Sequence, residues 1–293
     1  MKRQVTRCGT LTGMVVPSRL AATVGLYSIP ELASRGVDRS GRDQLVRQGR
    51  LVAAARGWFA AAEADPAALM AIRAGVRLTC VSAARFHGLW TPVVSGTHAY
   101  GRRGSVPRGY VRHGPFLHAW PEPEPVASLP LCLEHAARCL PAELAATMVE
   151  SALTRQLISP SDVDEFSNRL PVRTRDRLLP VSGQSESGSE TRVARWLRRR
   201  QVPFTQQVQI QGMGRVDFLV GRSWIIAVDS GAHHTATPDY ERDRRRDLTA
   251  RIRGYTVLRL SFTQVWDRWQ ATQLDLEALV RTRRHLQPPR RAN

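Results

Sequence analysis

Two apolar segments joined by a short turn, VDFLVGRSWIIAV at residues 216–228, constrain the fold more than any other stretch of this chain. Each segment is short, rich in Val, Ile, Phe or Trp, and bounded by Gly221 or by an acid. Runs of this length and composition favour buried strands over helices. The stretch therefore predicts a sheet whose strand ends carry acidic side chains and, in AVDSGAHH, histidines.

The segments around this strand pair predict an α/β domain with a mixed sheet. From Glu190 the order is helix, strand, strand, strand, helix, strand, helix. The first helix, ETRVARWLRRR, puts Val193, Trp196 and Leu197 on one side, and the fourth strand is YTVLRLSF after a helix that ends at Gly254. A last helix is expected through about Arg284.

The Ser/Gly-rich segment PVSGQSESGS at residues 180–189 lacks an apolar pattern and predicts a domain boundary. We expect an N-terminal domain at 1–60, a helical/β middle region at 61–180 that packs on it, and the α/β domain at 190–286. In the middle region, Ser82 is expected to cap a helix, and the helical segment 131–158 is expected to break near Pro141. The predicted fold class is α+β overall.

Residues 28–60 have the pattern of a helix-turn-helix followed by a two-stranded wing. Ser28 with Glu31 forms a capping-box signature, Asp38 can cap the second helix, and Gly49 can end it. RLVAAARGWFA then predicts two short strands around the turn at 56–57. A winged helix places a helix in the DNA major groove. The alternative is a small solvated helical hairpin with ordinary arginines.

The basic residues indicate a polyanionic partner. The formal net charge is +18, from 43 Lys+Arg against 25 Asp+Glu, and Lys2 is the single lysine. A compositional bias explains the choice of arginine but not its excess over acids, and neutralising phosphates releases counterions. Double-stranded DNA is the expected partner, although charge does not separate it from RNA. The candidate DNA-binding residues are Arg39, Arg42, Arg47, Arg50, Arg56, Arg244, Arg245 and Arg246. For the last three, phosphate contact and simple solvation of their helix remain alternatives.

Three acids and two histidines form the candidate catalytic site. Asp217 lies in one apolar strand, Asp229 ends the next, and Glu190 lies near the start of the preceding helix. Carboxylates at the ends of adjacent strands can hold Mg²⁺ or Mn²⁺, with Asp217 and Asp229 as the expected ligands. His233 and His234 are the candidate general acid or base. The alternatives are a turn cap for each acid and a solvated loop for the histidines.

Four segments, SETRVARWLRRRQVP, GRVDFLV, IIAVDSGAHH and ERDRRRDLTARIRGYTVLRL, resemble the PD-(D/E)XK nuclease-like family related to very-short-patch repair endonucleases, over roughly residues 187–266. Residues 28–158 more weakly resemble the winged-helix antitoxin-like region of the AbiEi type, which is often fused to this nuclease-like domain in actinobacteria. The resemblance implies metal-dependent cleavage of DNA by Glu190, Asp217, Asp229, His233 and His234. It also implies a toxin or a methyltransferase as a further partner.

The chain departs from the family pattern beside the expected metal ligands. Ala227 stands where the family has Glu, Ser230 where it has Gly, and no lysine serves the K of the motif. Very-short-patch repair enzymes also lack that acid and use an aspartate with a nearby histidine. The rival hypothesis is a catalytically inactive transcriptional regulator, similar to an antitoxin or repressor, that only binds DNA.

Cysteine usage and hydropathy favour a cytoplasmic protein without a membrane partner. The four cysteines, at 8, 80, 132 and 139, are too few for a disulfide framework in 293 residues, and no apolar run reaches membrane-spanning length. Cys132, His135 and Cys139 fall on one helix face. A single straight helix cannot easily wrap three ligands around zinc, so apolar packing is expected there. His87 is expected to be structural.

Overall fold

The computed structural model describes residues 19–101, 106–114, 124–229 and 237–289. These residues form helices and three open sheets, which confirms the predicted α+β class. The chain divides into two compact units. Unit 1 comprises Met1–Pro141 and Asp164–Arg175, and unit 2 comprises Ala142–Val163 and Asp176–Asn293. The predicted division at 1–60, 61–180 and 190–286 stays a prediction.

The first part of unit 1 contains the predicted order of helix, helix and hairpin. Its elements are α1 (Arg19–Val24), β1 (Leu26–Ser28), α2 (Ile29–Ser34), α3 (Arg39–Arg47), β2 (Leu51–Ala55) and β3 (Trp58–Ala61). The strands form an antiparallel sheet in the order β1-β3-β2. Ser28 and Asp38 cap their helices by accepting the N–H groups of Glu31 at 3.3 Å and Gly41 at 2.8 Å. The Glu31 carboxylate binds Arg35 at 2.8 Å, so Ser28 caps α2 without the reciprocal carboxylate bond predicted for a capping box.

The rest of unit 1 combines short helices with a second three-stranded sheet. Its elements are α4 (Pro66–Arg73), β4 (Val76–Leu78), α5 (Cys80–Ala84), β5 (Thr97–Gly101), β6 (Tyr110–His113) and α6 (Leu129–Cys139). The strand order is β4-β5-β6, with β5 and β6 parallel. The prediction that Ser82 caps a helix is wrong, because α5 already begins at Cys80 and the Ser82 hydroxyl accepts the N–H of His98 at 2.8 Å. His87 contacts the Ala127 carbonyl at 2.9 Å, in keeping with a structural role.

Unit 2 is built on a four-stranded mixed sheet in the order β10-β9-β8-β7. Its strands are β7 (Phe204–Ile210), β8 (Gly214–Val220), β9 (Trp224–Val228) and β10 (Thr256–Leu260), and only the β9–β10 pair is parallel among them. Helix α7 (Ala142–Thr154) precedes it, and α8 (Pro160–Asn168) and α9 (Val172–Leu178) span the points where the chain passes between units. The further helices are α10 (Gly188–Arg199), α11 (Thr237–Ile252), α12 (Phe262–Trp266) and α13 (Trp269–Arg281). The predicted last helix is therefore two helices: α12, which begins at a capping box of Ser261 and Gln264, and α13, which begins at Trp269.

Helices cover both faces of this sheet, which explains why β8 and β9 are almost wholly apolar. On one face, Val193 and Leu197 of α10 pack with Phe218 and Ile226. On the other face, Ala250 of α11 packs with strand residues that include Ile225. The turn between β8 and β9 requires Gly221, which has φ +59°, because a Cβ there would lie 2.3 Å from the carbonyl oxygen of His285.

Within the described ranges, no helix combines the length and the apolar character that crossing a bilayer requires.

Candidate active site

A break in strand alternation sets the position of the candidate site. Residues two apart on a regular strand share one face. Phe218 packs with the α10 cluster, yet Val216 packs with the α11 cluster on the opposite face. On the neighbouring strand, Gln207 has φ +53°, a left-handed conformation that is uncommon outside glycine. Both strands thus change face at the level of Asp217 and Gln207.

Glu190 lies in the first turn of α10, and its side chain reaches the irregular part of β7 at Gln207. Ser187 is the N-cap residue, and its hydroxyl accepts the Glu190 N–H at 3.1 Å. The Glu190 carboxyl, only 6% exposed, accepts the Ser187 hydroxyl at 2.9 Å, the Glu186 N–H at 2.9 Å and the Gln207 amide at 2.9 Å. The last bond joins the helix directly to the irregular point of β7. Glu190 is therefore a capping residue turned into the sheet rather than into solvent.

The carboxyls of Glu190 and Asp217 both have raised pKa values. Burial raises the pKa of Glu190 to about 7, and the negative charge of Asp217 adds to this effect, while the hydrogen bonds from Glu186 and Ser187 oppose it. Burial also raises the pKa of Asp217, against the opposing effects of the hydrogen bond from Val228 and the charge of Arg246. Acids with pKa values displaced in this way, next to a cleft, are candidates for functional groups.

Solvent reaches Asp217 through an open pocket lined by Met213, Gly214, Arg215, Asp217 and Arg246. Arg246 donates to the carbonyl of Met213 at 2.8 Å and to that of Arg215, so this predicted DNA-binding residue holds the β7–β8 turn. Arg215 forms an ion pair with Glu186 at 2.8 Å, at the exposed edge of the same pocket. Arg244 and Arg245 are exposed on α11.

Asp229 has a different environment from Asp217. It lies just after β9, its backbone N–H bonds the Leu260 carbonyl at 2.9 Å, and its carboxylate is 3.5 Å from Arg259. Arg259 also binds Asp247 at 3.0 Å and pairs in register with Ala227. Asp229 is thus engaged by an arginine from β10, and its role as a metal ligand stays a prediction. His233 and His234 lie outside the described residues.

Sequence reasoning missed three polar residues that surround Glu190 and Asp217. They are Glu186, Gln207 and Arg215. The sequence offers a signal only for Glu186, which comes directly before Ser187, a residue type that often caps helices. The composition of this segment nevertheless predicts a linker. Gln207 has a positive φ and also donates a hydrogen bond to Glu190, so this one residue both interrupts the regular strand and joins β7 to α10. No periodicity in FTQQVQI indicates that irregularity.

The donor atoms at this point fit Mg²⁺ or Mn²⁺. Both ions prefer carboxylate oxygens, usually from one or two acids, and keep several waters. The hydrogen bond from Val228 at 2.8 Å uses Oδ2 of Asp217, which leaves Oδ1 as the oxygen that Asp217 offers a cation. A nearby positive charge would also favour the ionised forms of these two acids, whose pKa values burial raises.

Comparison with protein-family models gives no match, and comparison with curated proteins gives none. Among solved structures, the catalytic domain of the homing endonuclease I-Bth0305I is similar at 20% identity, over 34% of this chain and 97% of that chain, with a TM-score of 0.28. A likeness at this level carries no argument about fold or activity. A functional assignment for this chain therefore depends on its own residues and their contacts.

The raised pKa of Glu190 leads to a pH-dependent stability that the variant Glu190→Gln should lack. Between the ordinary value of 4.5 and the folded value of about 7, the folded state holds a proton that the unfolded state has released. The stabilisation from that proton is fully present below the lower value and is lost as pH rises through the upper one. We expect wild type to lose about 3 kcal/mol relative to the variant across this range. Urea unfolding followed by tryptophan fluorescence from pH 4.5 to 8 measures it, and a pH-independent difference between the two proteins would contradict it.

Proposed function

We propose that this protein binds double-stranded DNA and hydrolyses its phosphodiester bonds with a divalent metal, using a PD-(D/E)XK-type site in unit 2. The observation that carries the proposal is that buried Glu190 and half-buried Asp217, carboxyls from different elements, lie close enough for the charge of Asp217 to raise the pKa of Glu190, beside an open pocket with arginines at its edge. A purely structural site has little reason to place two acids together where burial raises the pKa of both.

Each residue has a distinct task in this proposal. Asp217 would hold the cation with its carboxylate, with Asp229 as the second expected ligand from the next strand. Glu190, whose pKa of about 7 leaves it partly protonated at neutral pH, would lose that proton if a cation bound nearby and would then balance part of its charge. Arg215 at the pocket edge attracts the DNA backbone. A bound Mg²⁺ would activate water and offset the charge that develops at the phosphate.

The DNA-binding part of the proposal rests on α3. No residue of α3 is buried, and α3 lies wholly within the described range 19–101. Arg39 and Arg47 are exposed on it, and Leu45 packs its other side against the unit 1 core. Arg50 and Arg56, near the hairpin, are exposed as well. A helix anchored by a single apolar contact and covered with arginines suits insertion beside phosphates, as in a winged helix.

The variant Arg47→Ala should weaken DNA binding and make it less dependent on salt. Losing one phosphate contact reduces the slope of log K against log salt by about one. Fluorescence anisotropy with a labelled duplex at several salt concentrations measures both quantities. The variant Arg73→Ala is a matched control, because Arg73 is an exposed arginine at the end of another helix of unit 1. Equal losses for the two variants would mean that net charge, not α3, determines binding.

Incubation of the wild-type protein with supercoiled plasmid tests the hydrolytic part. We expect nicked and linear products with Mg²⁺ or Mn²⁺ and none with EDTA. Ca²⁺, which takes similar ligands in a looser geometry, should support binding better than cleavage. Binding without cleavage under every metal condition would reject the enzyme and retain the DNA-binding module.

One observation favours a second candidate function, a regulator that binds DNA without cutting it. Ala227 stands where the family places a carboxylate, and Asp229 is engaged by Arg259. If both positions are unavailable to a metal, Asp217 and Glu190 alone must hold it. The plasmid experiment separates the two functions, since a regulator shifts duplex DNA in gels but leaves every plasmid intact.

A further inference from the structure

A second cluster of chemistry-bearing side chains lies in unit 1. The ligand atoms of Cys80, His98, His113 and Cys139 all lie within 4.8 Å of one another. The four residues come from four elements, α5, β5, β6 and α6, and all of them belong to unit 1. They are far apart in sequence, so no spacing of the CxxC kind indicates them.

The fold brings these residues together in specific ways. Tyr100 and His113 are partners in the parallel β5–β6 pair, so His98 lies diagonally opposite His113 on the same face. Nδ1 of His98 is 3.0 Å from Nε2 of His113 and 3.7 Å from Sγ of Cys139. Cys80 starts α5 with φ +52°, a conformation that non-glycine residues rarely adopt and that concentrates at functional sites. Cys139 is the last residue of α6.

These donors and distances match one metal in particular. Two thiols and two imidazoles are a common ligand set for Zn²⁺, and its bond lengths place tetrahedral ligand atoms about 3.3–3.8 Å apart. The separation of 3.7 Å lies within that range, and the separation of 3.0 Å lies just below it. A carboxylate-preferring ion such as Mg²⁺ has no oxygen ligand among these four residues.

The helix-face interpretation of Cys132, His135 and Cys139 needs one correction. Cys132 and His135 are buried, as expected for packing: the Cys132 thiol donates to the Cys80 carbonyl at 3.1 Å, and His135 bonds Thr79 at 2.7 Å. Cys139 is exposed and does not share that packing. It belongs instead with Cys80 and two histidines from the sheet, because α6 ends beside β5.

We propose that Cys80, His98, His113 and Cys139 form a structural zinc site. The protein supplies all four tetrahedral positions, which is typical of structural rather than catalytic zinc. Three of the ligands are buried and Cys139 is exposed, so the ion has a path of entry from the surface. The site joins two strands and two helices of unit 1, and it is independent of the acidic site in unit 2.

Metal analysis of the full chain tests this directly. Protein purified under reducing conditions, without a histidine tag, should hold roughly one zinc per chain by mass spectrometry. Exchange with Co²⁺ should give the visible absorption of tetrahedral cobalt and a thiolate charge-transfer band. The variants Cys139→Ser and His113→Ala should lose at least about tenfold in zinc affinity. Removal of zinc by a chelator should lower the melting temperature of the wild-type protein.

The variant Cys132→Ser is the matched control, since Cys132 is a buried cysteine that lies outside the four-residue group. It should retain full zinc content and the cobalt spectrum. The variant Cys139→His keeps a zinc ligand and should retain the ion with a weaker thiolate band. Wild-type protein that is folded by circular dichroism but binds neither zinc nor cobalt would overturn the proposal. Zinc binding unchanged in Cys139→Ser, or a Cys80–Cys139 disulfide that persists in the reduced preparation, would overturn it as well.

Discussion

Replacing Asp217 with Asn is expected to reduce metal-dependent plasmid nicking by about 1,000-fold and to leave duplex affinity unchanged. Asn has the same shape and can still accept the Val228 N–H, so the sheet should stay intact. It lacks the negative charge that holds a divalent cation. A metal ion contributes several kcal/mol to such a reaction, and each 1.36 kcal/mol corresponds to a factor of about ten. Initial nicking rates at saturating Mg²⁺ measure the effect.

A matched variant makes this result specific to the site. Asp275 is an exposed aspartate of α13, so Asp275→Asn removes the same charge elsewhere in unit 2 and should cleave as wild type does. Cleavage that survives in Asp217→Asn would reject Asp217 as a metal ligand. The variant Asp229→Asn then tests the second ligand. A loss of cleavage as large as that of Asp217→Asn means that Asp229 leaves Arg259 to bind the cation. A small loss of cleavage means that the ion pair of Asp229 with Arg259 is structural.

The largest expected loss of stability results from Arg195→Met. Arg195 of α10 is 3% exposed, binds Glu143 of α7 at 3.1 Å and donates to the carbonyls of Leu178 at 2.7 Å and Pro180 at 3.0 Å. Met fills a similar volume but leaves these carbonyls without their donor, and Glu143 keeps only Arg199 as an ion-pair partner. Breaking a buried pair by removing one partner costs about 3–5 kcal/mol. Urea unfolding of unit 2, followed by tryptophan fluorescence, measures this loss.

The same helix provides the control for this prediction. Arg200 follows the last turn of α10, is half exposed and forms an ion pair with Glu277. Exposed pairs contribute about 0–1 kcal/mol, so Arg200→Met should change stability little. If the two variants were equally stable, Arg195 would not hold the segment after α9 in place.

Much of the fold could be predicted from the sequence because the relevant signals are local. Ser28 and Asp38 indicate their helices by side chains that bond N–H groups three residues ahead. The apolar runs at 216–220 and 224–228 indicate buried strands because helices cover both faces of the sheet. The prediction for Ser82 fails for the converse reason: its hydroxyl accepts a hydrogen bond from His98 on another element, and nothing local indicates that.

The sequence by itself determined the order of helices and strands from Glu190 to β10, the mixed α/β character of the C-terminal region and the acids that merit testing. Each of these depends on interactions between residues a few positions apart. Only the tertiary structure decided which of those acids meet. It brings Glu190 within the electrostatic influence of Asp217, bonds Glu190 to Gln207, pairs Asp229 with Arg259 and gathers Cys80, His98, His113 and Cys139 from four elements. Those contacts join residues distant in the chain, and strand irregularity and helix ends, which periodicity does not encode, set their geometry.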